Sequence, residues 1–162
     1  MSTAAVRKAE PGDAAAIAHI YNAGILARTA TFETEPRTAG DIAQWFERGD
    51  LIVVCTGDGK VTGFASAHSY RPRACYEGVK EFSVYVSSEA RGRGLGRALL
   101  ERLIAEARVD GAWKLVARIF PDNTASRKLC RAVGFREVGT YERHGKLDGR
   151  WHDCVIVEKL LD

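Results

Sequence analysis

The chain has 162 residues, which is enough for one domain with a full hydrophobic core. Its 24 basic and 21 acidic side chains leave a net charge of +3, too small an excess to indicate a nucleic-acid-binding protein. Four widely spaced cysteines without a C-x-x-C pair, and the lack of a long apolar run, predict a cytoplasmic protein without a metal site, a disulfide framework or a membrane span.

The N-terminal half of the sequence alternates between the periodicities of strands and of helices. The predicted strands cover residues 6–9, 51–55, 61–68 and 79–86, and the predicted helices cover residues 11–26 and 41–48. Between the two helices, residues 29–38 lack periodicity and are predicted to form a loop. Gly57-Asp58-Gly59 is expected to join the second and third strands as a hairpin turn.

In the C-terminal half, a helix that ends near Gly111 is marked by the apolar stripe Leu95, Leu99, Leu103 and Ala107. A strand at 114–120, a helix at 123–133, and strands at 137–141 and 154–160 across a polar turn at 145–149 complete the chain. Together the elements predict one α+β domain over residues 1–162. We expect a mixed, twisted, mostly antiparallel sheet flanked by about four helices, with one β-α-β crossover.

A turn rich in glycine and arginine separates the strand at 79–86 from the next helix: Arg91-Gly92-Arg93-Gly94-Leu95-Gly96-Arg97. Glycine lets the backbone approach a ligand closely, free N–H groups at a helix N-terminus attract anions, and arginine suits phosphate. No Gly-Lys-Ser/Thr follows, and the third glycine of a dinucleotide fingerprint is missing, so both of those motifs are excluded. The turn predicts a pyrophosphate-binding loop, with a flexible basic turn as the alternative.

A second motif lies downstream and consists of Asn123, Ser126, Leu129, Gly134 and Phe135. With the loop, it resembles the acyl-CoA-binding motifs of the GCN5-related N-acetyltransferases (GNAT), and the resemblance extends over essentially the whole chain. It implies acetyl-CoA as co-substrate, no metal, and a cofactor site made of residues 91–97 with Asn123 and Ser126. Alternatively, Asn123 serves as a helix N-cap, and Gly134-Phe135 as a helix stop followed by a core aromatic.

Within GNAT, residues 20–22, 31–36, 70–73, 81–86 and 149–153 resemble the phosphinothricin, methionine sulfoximine and arsinothricin acetyltransferases. This resemblance implies acetylation of the α-amino group of a small anionic amino-acid analogue, resistance to that analogue, and a homodimer that binds neither nucleic acid nor membranes. Two alternatives remain. One is an acetyltransferase for a polyamine, an aminoglycoside or a protein N-terminus, and the other is a non-catalytic acyl-CoA-binding module.

Glu81 is the candidate general base. An α-amino group with a pKa of about 8 needs only about 1.4 kcal/mol to be neutral at pH 7, so we expect one carboxylate to suffice as the base. By strand alternation Glu81 shares a face with Ser83 and Tyr85, and the resemblance implies its role as base. The alternatives are a solvated strand residue and an ion-pair partner of Lys80.

Arg71 and Arg73 flank Pro72, which favours an extended backbone in which both guanidinium groups point the same way. The resemblance assigns them to the anionic groups of the acceptor, whereas a basic surface turn is the alternative. Phe32 is a further candidate for the wall of the acceptor pocket, with simple packing as its alternative.

The thioester oxygen needs N–H donors, and the resemblance implies that the strand carrying Glu81 supplies them, from Val84, Tyr85 or Val86. Many relatives place a tyrosine, the presumed acid for the leaving thiolate, where this chain has Cys130. The thiol of Cys130 is therefore one candidate acid and Tyr85 another, although a small buried helix residue also explains Cys130.

Overall fold

The computed structural model describes residues 4–162, which form a seven-stranded sheet with helices on both faces. The strands are β1 (Ala5–Lys8), β2 (Leu51–Gly57), β3 (Lys60–Ser69), β4 (Val79–Val86), β5 (Lys114–Ile119), β6 (Arg136–Leu147) and β7 (Arg150–Leu160). The helices are α1 (Ala14–Ala27), α2 (Ala39–Glu47), α3 (Leu95–Val109) and α4 (Thr124–Ala132). The strand order is β1-β2-β3-β4-β5-β7-β6, so the predicted α+β class is confirmed.

Side-chain alternation along the strands divides the core into two layers. On β2, Val53 and Cys55 belong to the cluster that contains Leu99 of α3, and Ile52 and Val54 belong to the cluster that contains Ile17 of α1 and Ile42 of α2. The predicted stripe of α3 is buried. The two layers hold the central strands, including β4, between helices.

The pairing of β4 with β5 is the feature that positions the site. These neighbours are the parallel pair of the sheet, connected by the predicted crossover through α3. Their register covers Val79–Lys114, Lys80–Leu115 and Glu81–Val116, and it ends there. Beyond Glu81 the two strands diverge, which opens a slot in the middle of the sheet.

The structure corrects the prediction for the C-terminal hairpin. Residues 145–147, predicted to lie in a turn, belong to β6, and the turn is reduced to Asp148-Gly149, both with positive φ. β6 is exposed along almost all of its length, so its sequence lacks the apolar alternation on which strand prediction depends. The register of β6 with β7 is also irregular between Tyr141 and Gly145, which interrupts the residue alternation expected of a strand.

Within residues 4–162 no helix is both long and apolar enough to cross a membrane. The cysteines Cys55, Cys75, Cys130 and Cys154 are all free thiols.

Candidate active site

The loop between β4 and α3 presents unpaired backbone N–H groups. Gly92 and Gly94 have φ angles of +78° and +77°, a conformation that a side chain would strain. Within residues 4–162, the N–H groups of residues 92–97 donate to no carbonyl, and the N-terminus of α3 lies in the same turn. A cluster of free N–H groups at a helix N-terminus fits an anion such as a pyrophosphate.

The arginines of this loop are exposed. The Nε of Arg91 donates to the carbonyl of Val86 at 3.3 Å, and the Nε of Arg97 pairs with Glu101 at 2.8 Å. Neither Arg91 nor Arg93 forms an ion pair within residues 4–162, so both guanidinium groups are available to an anion.

The slot between β4 and β5 is a narrow cavity of about 50 Å³, lined by both strands and by α4. The N–H of Ser87 donates to the carbonyl of Thr62, and the N–H of Tyr70 donates to the carbonyl of Val79. Because hydrogen-bonded pairs alternate along an antiparallel ladder, the backbone groups of the odd-numbered residues of β4 are bonded to β3. The N–H groups of the even-numbered residues Val84 and Val86 therefore point into the slot. The N–H of Tyr85 points to β3, away from it.

Asn123 at the start of α4 has the structural role that the sequence left open. Its Oδ1 accepts a hydrogen bond from the N–H of Ser126 at 3.2 Å, which caps the helix. Asn123 and Ser126 also line the slot, so capping and ligand binding are compatible. Gly96 packs against Leu129 so closely that a Cβ would lie 3.2 Å from that side chain, which joins the loop to α4.

Of the two candidate acids, Cys130 is buried and Tyr85 is partly buried. Cys130 lies in the core beside the slot, where burial raises the pKa of its thiol to about 12. Burial also raises the pKa of Tyr85, whose ring stacks on Phe64 at 5.4 Å between ring centroids. A thiol with so high a pKa is a weak acid, which supports a packing role for Cys130.

A larger cavity of about 340 Å³ lies on the sheet face that carries Glu81. Its lining includes the cations Arg71, Lys114 and Arg118 and the anions Glu81 and Glu158. The slot and this cavity share Ala117 and Arg118 as lining residues, so the two spaces meet at β5. A group in the slot and a group in the cavity can thus come together beside Glu81.

Glu81 is only 13% exposed and is paired with Arg118 of β5, not with Lys80. Nε of Arg118 donates to Oε2 of Glu81 at 2.9 Å, and Nη2 of Arg118 lies 2.7 Å from the same oxygen. Lys80 instead lies 3.8 Å from Asp110. Within residues 4–162, Oε1 of Glu81 accepts no hydrogen bond, so it is the oxygen available to an amine.

Of the two arginines predicted to bind the anionic groups of the acceptor, only Arg71 lines the cavity. Arg71 lines the cavity with its guanidinium 4.5 Å from the ring centroid of Tyr70. Arg73 is exposed and lies beyond the lining residues, at the start of a short 3-10 turn. Phe32 packs edge-on against Phe120 at 4.9 Å, beneath the β6–β7 hairpin, which favours the packing alternative for its ring.

The comparisons with known proteins agree with this geometry. Residues 17–135 match the model of the Acetyltransferase (GNAT) family. The chain belongs to this family. Among relatives of this GNAT protein, an L-amino acid N-acyltransferase of Escherichia coli is 37% identical, with 97% of this chain and 94% of that protein covered. An L-methionine sulfoximine/L-methionine sulfone acetyltransferase of Pseudomonas paraeruginosa is 34% identical over 99% and 96% of the two chains.

Solved structures of GNAT proteins have a fold similar to that of this chain. A GNAT superfamily phosphinothricin acetyltransferase from Sinorhizobium meliloti, determined in complex with acetyl-CoA, has a TM-score of 0.91 and 34% identity. The alignment covers 98% of this chain and 89% of that chain. This GNAT protein is therefore an acetyltransferase by family.

The sequence analysis of this GNAT chain did not identify Arg118 as a site residue. The pattern that indicates it is the alternation of Lys114, Val116 and Arg118 along β5, because this alternation places two charged side chains on one face of a central strand. A charged side chain on a strand that lies between two other strands needs an ion-pair partner or a role in function. In the same region His152 packs against Phe120, and Asp153 accepts a hydrogen bond from the N–H of Arg143.

Proposed function

We propose that this protein is an acetyl-CoA-dependent N-acetyltransferase that acts on the α-amino group of a small anionic amino acid. The observation that carries the proposal is the meeting of the slot with a cavity that holds Glu81 and an excess of cationic over anionic side chains. Amino-acid analogues of the phosphinothricin and methionine sulfoximine type fit that charge. A polycationic acceptor would be repelled by Arg71, which lines the cavity and forms no ion pair within residues 4–162.

Each residue has a chemical task in this proposal. The loop 91–97 and the N-terminus of α4 hold the pyrophosphate and the arm of acetyl-CoA, which supplies the acyl thioester when bound. Oε1 of Glu81 accepts the proton that the ammonium group must lose. The N–H groups of Val84 and Val86 stabilise negative charge on an oxygen placed in the slot. Arg71, aided by Arg73, binds an acidic group of the acceptor.

The substitution Glu81→Gln tests the base. It keeps the size of the side chain but removes its ability to accept a proton, so we expect kcat to fall by about 100-fold or more. The KM for acetyl-CoA should stay within about twofold of its wild-type value, because Glu81 faces the acceptor cavity. The measurement is thiol release with saturating phosphinothricin. Glu77→Gln, an exposed carboxylate in the preceding turn, is the control, and undiminished turnover in Glu81→Gln would refute the assignment.

We also propose that the protein works as a homodimer through the β6–β7 hairpin, in the cytoplasm, where acetylation would confer resistance to a toxic amino acid. The hairpin is the edge of the sheet and exposes Val138, Tyr141 and Trp151. Val138 and Tyr141 also line the acceptor cavity. A second copy on this surface would shield the cavity from water.

A further inference from the structure

Arg118 occupies the boundary between the two halves of the site. Its side chain is half exposed, whereas that of its partner Glu81 is 13% exposed. It lines both the slot and the acceptor cavity. A half-exposed arginine at the junction of two cavities has room to change partners, because only one oxygen of Glu81 holds it.

The other charges of the cavity are already matched or turned elsewhere. Lys114 and Arg136 both pair with Glu158, at 2.6 and 2.5 Å. Arg71 forms no ion pair within residues 4–162 and stacks on Tyr70. The remaining titratable groups that line this space are Tyr70, Tyr76, Tyr141 and His144, with His68 opposite Glu81 on β3. An acceptor with two acidic groups thus finds one free cation, Arg71, and one cation held by the base, Arg118.

Arg118 is held by one oxygen of Glu81, and its guanidinium remains half exposed to the cavity. An acidic group on the acceptor competes for the same guanidinium, and a bidentate arginine–phosphinate contact is at least as favourable as the single-oxygen contact in the free protein.

We propose that Arg118 is a specificity-determining residue: it turns from Glu81 to bind the side-chain anion of the acceptor. The inference rests on the proposed function. It makes the second acidic group of the acceptor a determinant of binding. An amino acid with a neutral side chain leaves Arg118 on Glu81 and binds more weakly.

The test compares two acceptors in three variants. Phosphinothricin carries a carboxylate and a phosphinate, whereas L-methionine carries a carboxylate alone, and kcat and KM are measured separately for each. In Arg118→Gln, we expect the ratio of kcat/KM for phosphinothricin to that for methionine to fall at least tenfold, while the KM for acetyl-CoA stays within about twofold. Arg118→Lys, which keeps the charge, should restore most of the ratio. Arg136→Gln removes a cation that pairs with Glu158 and should leave the ratio unchanged.

The outcomes separate the two proposals. A wild-type protein that acetylates neither acceptor overturns the proposed function. An active wild type whose ratio is preserved in both Arg118→Gln and Arg118→Lys overturns the role of Arg118 alone. If Arg118→Gln fails to fold, Arg118→Met, which also lacks the charge, replaces it: a ratio that falls at least tenfold supports the role of Arg118, and a preserved ratio overturns it.

Discussion

Cys130 illustrates how burial decides between two roles for one side chain. In the sequence it occupies the position at which many relatives have a tyrosine, which made it a candidate acid. In the fold it is 3% exposed, and the pKa of its thiol is raised to about 12, mainly by burial. Proton donation from so weak an acid to a thiolate of ordinary pKa, near 8.5, is uphill by several kcal/mol. The leaving thiolate is better stabilised by solvent or by another group.

The corresponding prediction concerns Cys130→Ala. We expect kcat to stay within about threefold of wild type, because the thiol does not donate a proton. The free energy of unfolding should fall by about 1–2 kcal/mol, since a sulfur atom is removed from the core. Urea unfolding and steady-state kinetics provide the two measurements, and a loss of activity of 100-fold without loss of the fold would restore Cys130 as the acid.

At the scale of elements, the loop before α3 could be predicted as an anion site because its signal is local. Glycine, arginine and the start of a helix are adjacent in the sequence. The acceptor cavity could not be predicted in the same way, because Arg71, Glu81, Arg118 and Glu158 come from separate elements that only the sheet register brings together. Glu81 and Arg118 are 37 residues apart in the sequence.

The same contrast explains which elements were predicted well. The strand at Val79–Val86 was predicted with its observed bounds, and it is buried or half-buried along its whole length. The β6–β7 hairpin was predicted too short, because its polar, exposed residues resemble a long turn. Sequence periodicity reports burial, so an element that is exposed, or that another copy of the chain buries, gives a weaker pattern.

Gly92→Ala tests the loop at this scale. The φ of +78° at Gly92 costs about 1 kcal/mol for a residue with a Cβ, and adjusting the backbone would move the free N–H groups. We expect a fivefold or greater rise in the KM for acetyl-CoA with little change in the KM for the acceptor. Gly59→Ala is the matched control: its φ is +76°, it lies in the β2–β3 turn, and neither site has an atom within 4 Å of the added Cβ. Equal effects of both substitutions on the KM for acetyl-CoA would contradict the assignment.

For the whole molecule, the proposed homodimer gives a distinct expectation. Trp151 is 56% exposed on the hairpin that also lines the acceptor cavity. We expect Trp151→Glu to convert a dimer into a monomer and to lower activity toward the acceptor, because a buried carboxylate in an apolar interface is costly. Light scattering after size exclusion gives the mass. Val109→Glu, at a residue that is 87% exposed on α3, should leave the dimer intact, and a wild type that is monomeric at micromolar concentration would refute the interface.

The short pairing between β4 and β5 has a consequence for the donor. Within residues 4–162, three residue pairs join the first four strands to the last three, and beyond them side chains connect the two halves, such as the rings of Phe82 and Phe135 at 4.9 Å between centroids. The backbone ladder at the centre of the sheet is therefore shorter than the β3–β4 and β5–β7 ladders on either side of it. A donor bound along the seam would add contacts to both strands at the point where their backbone pairing is missing.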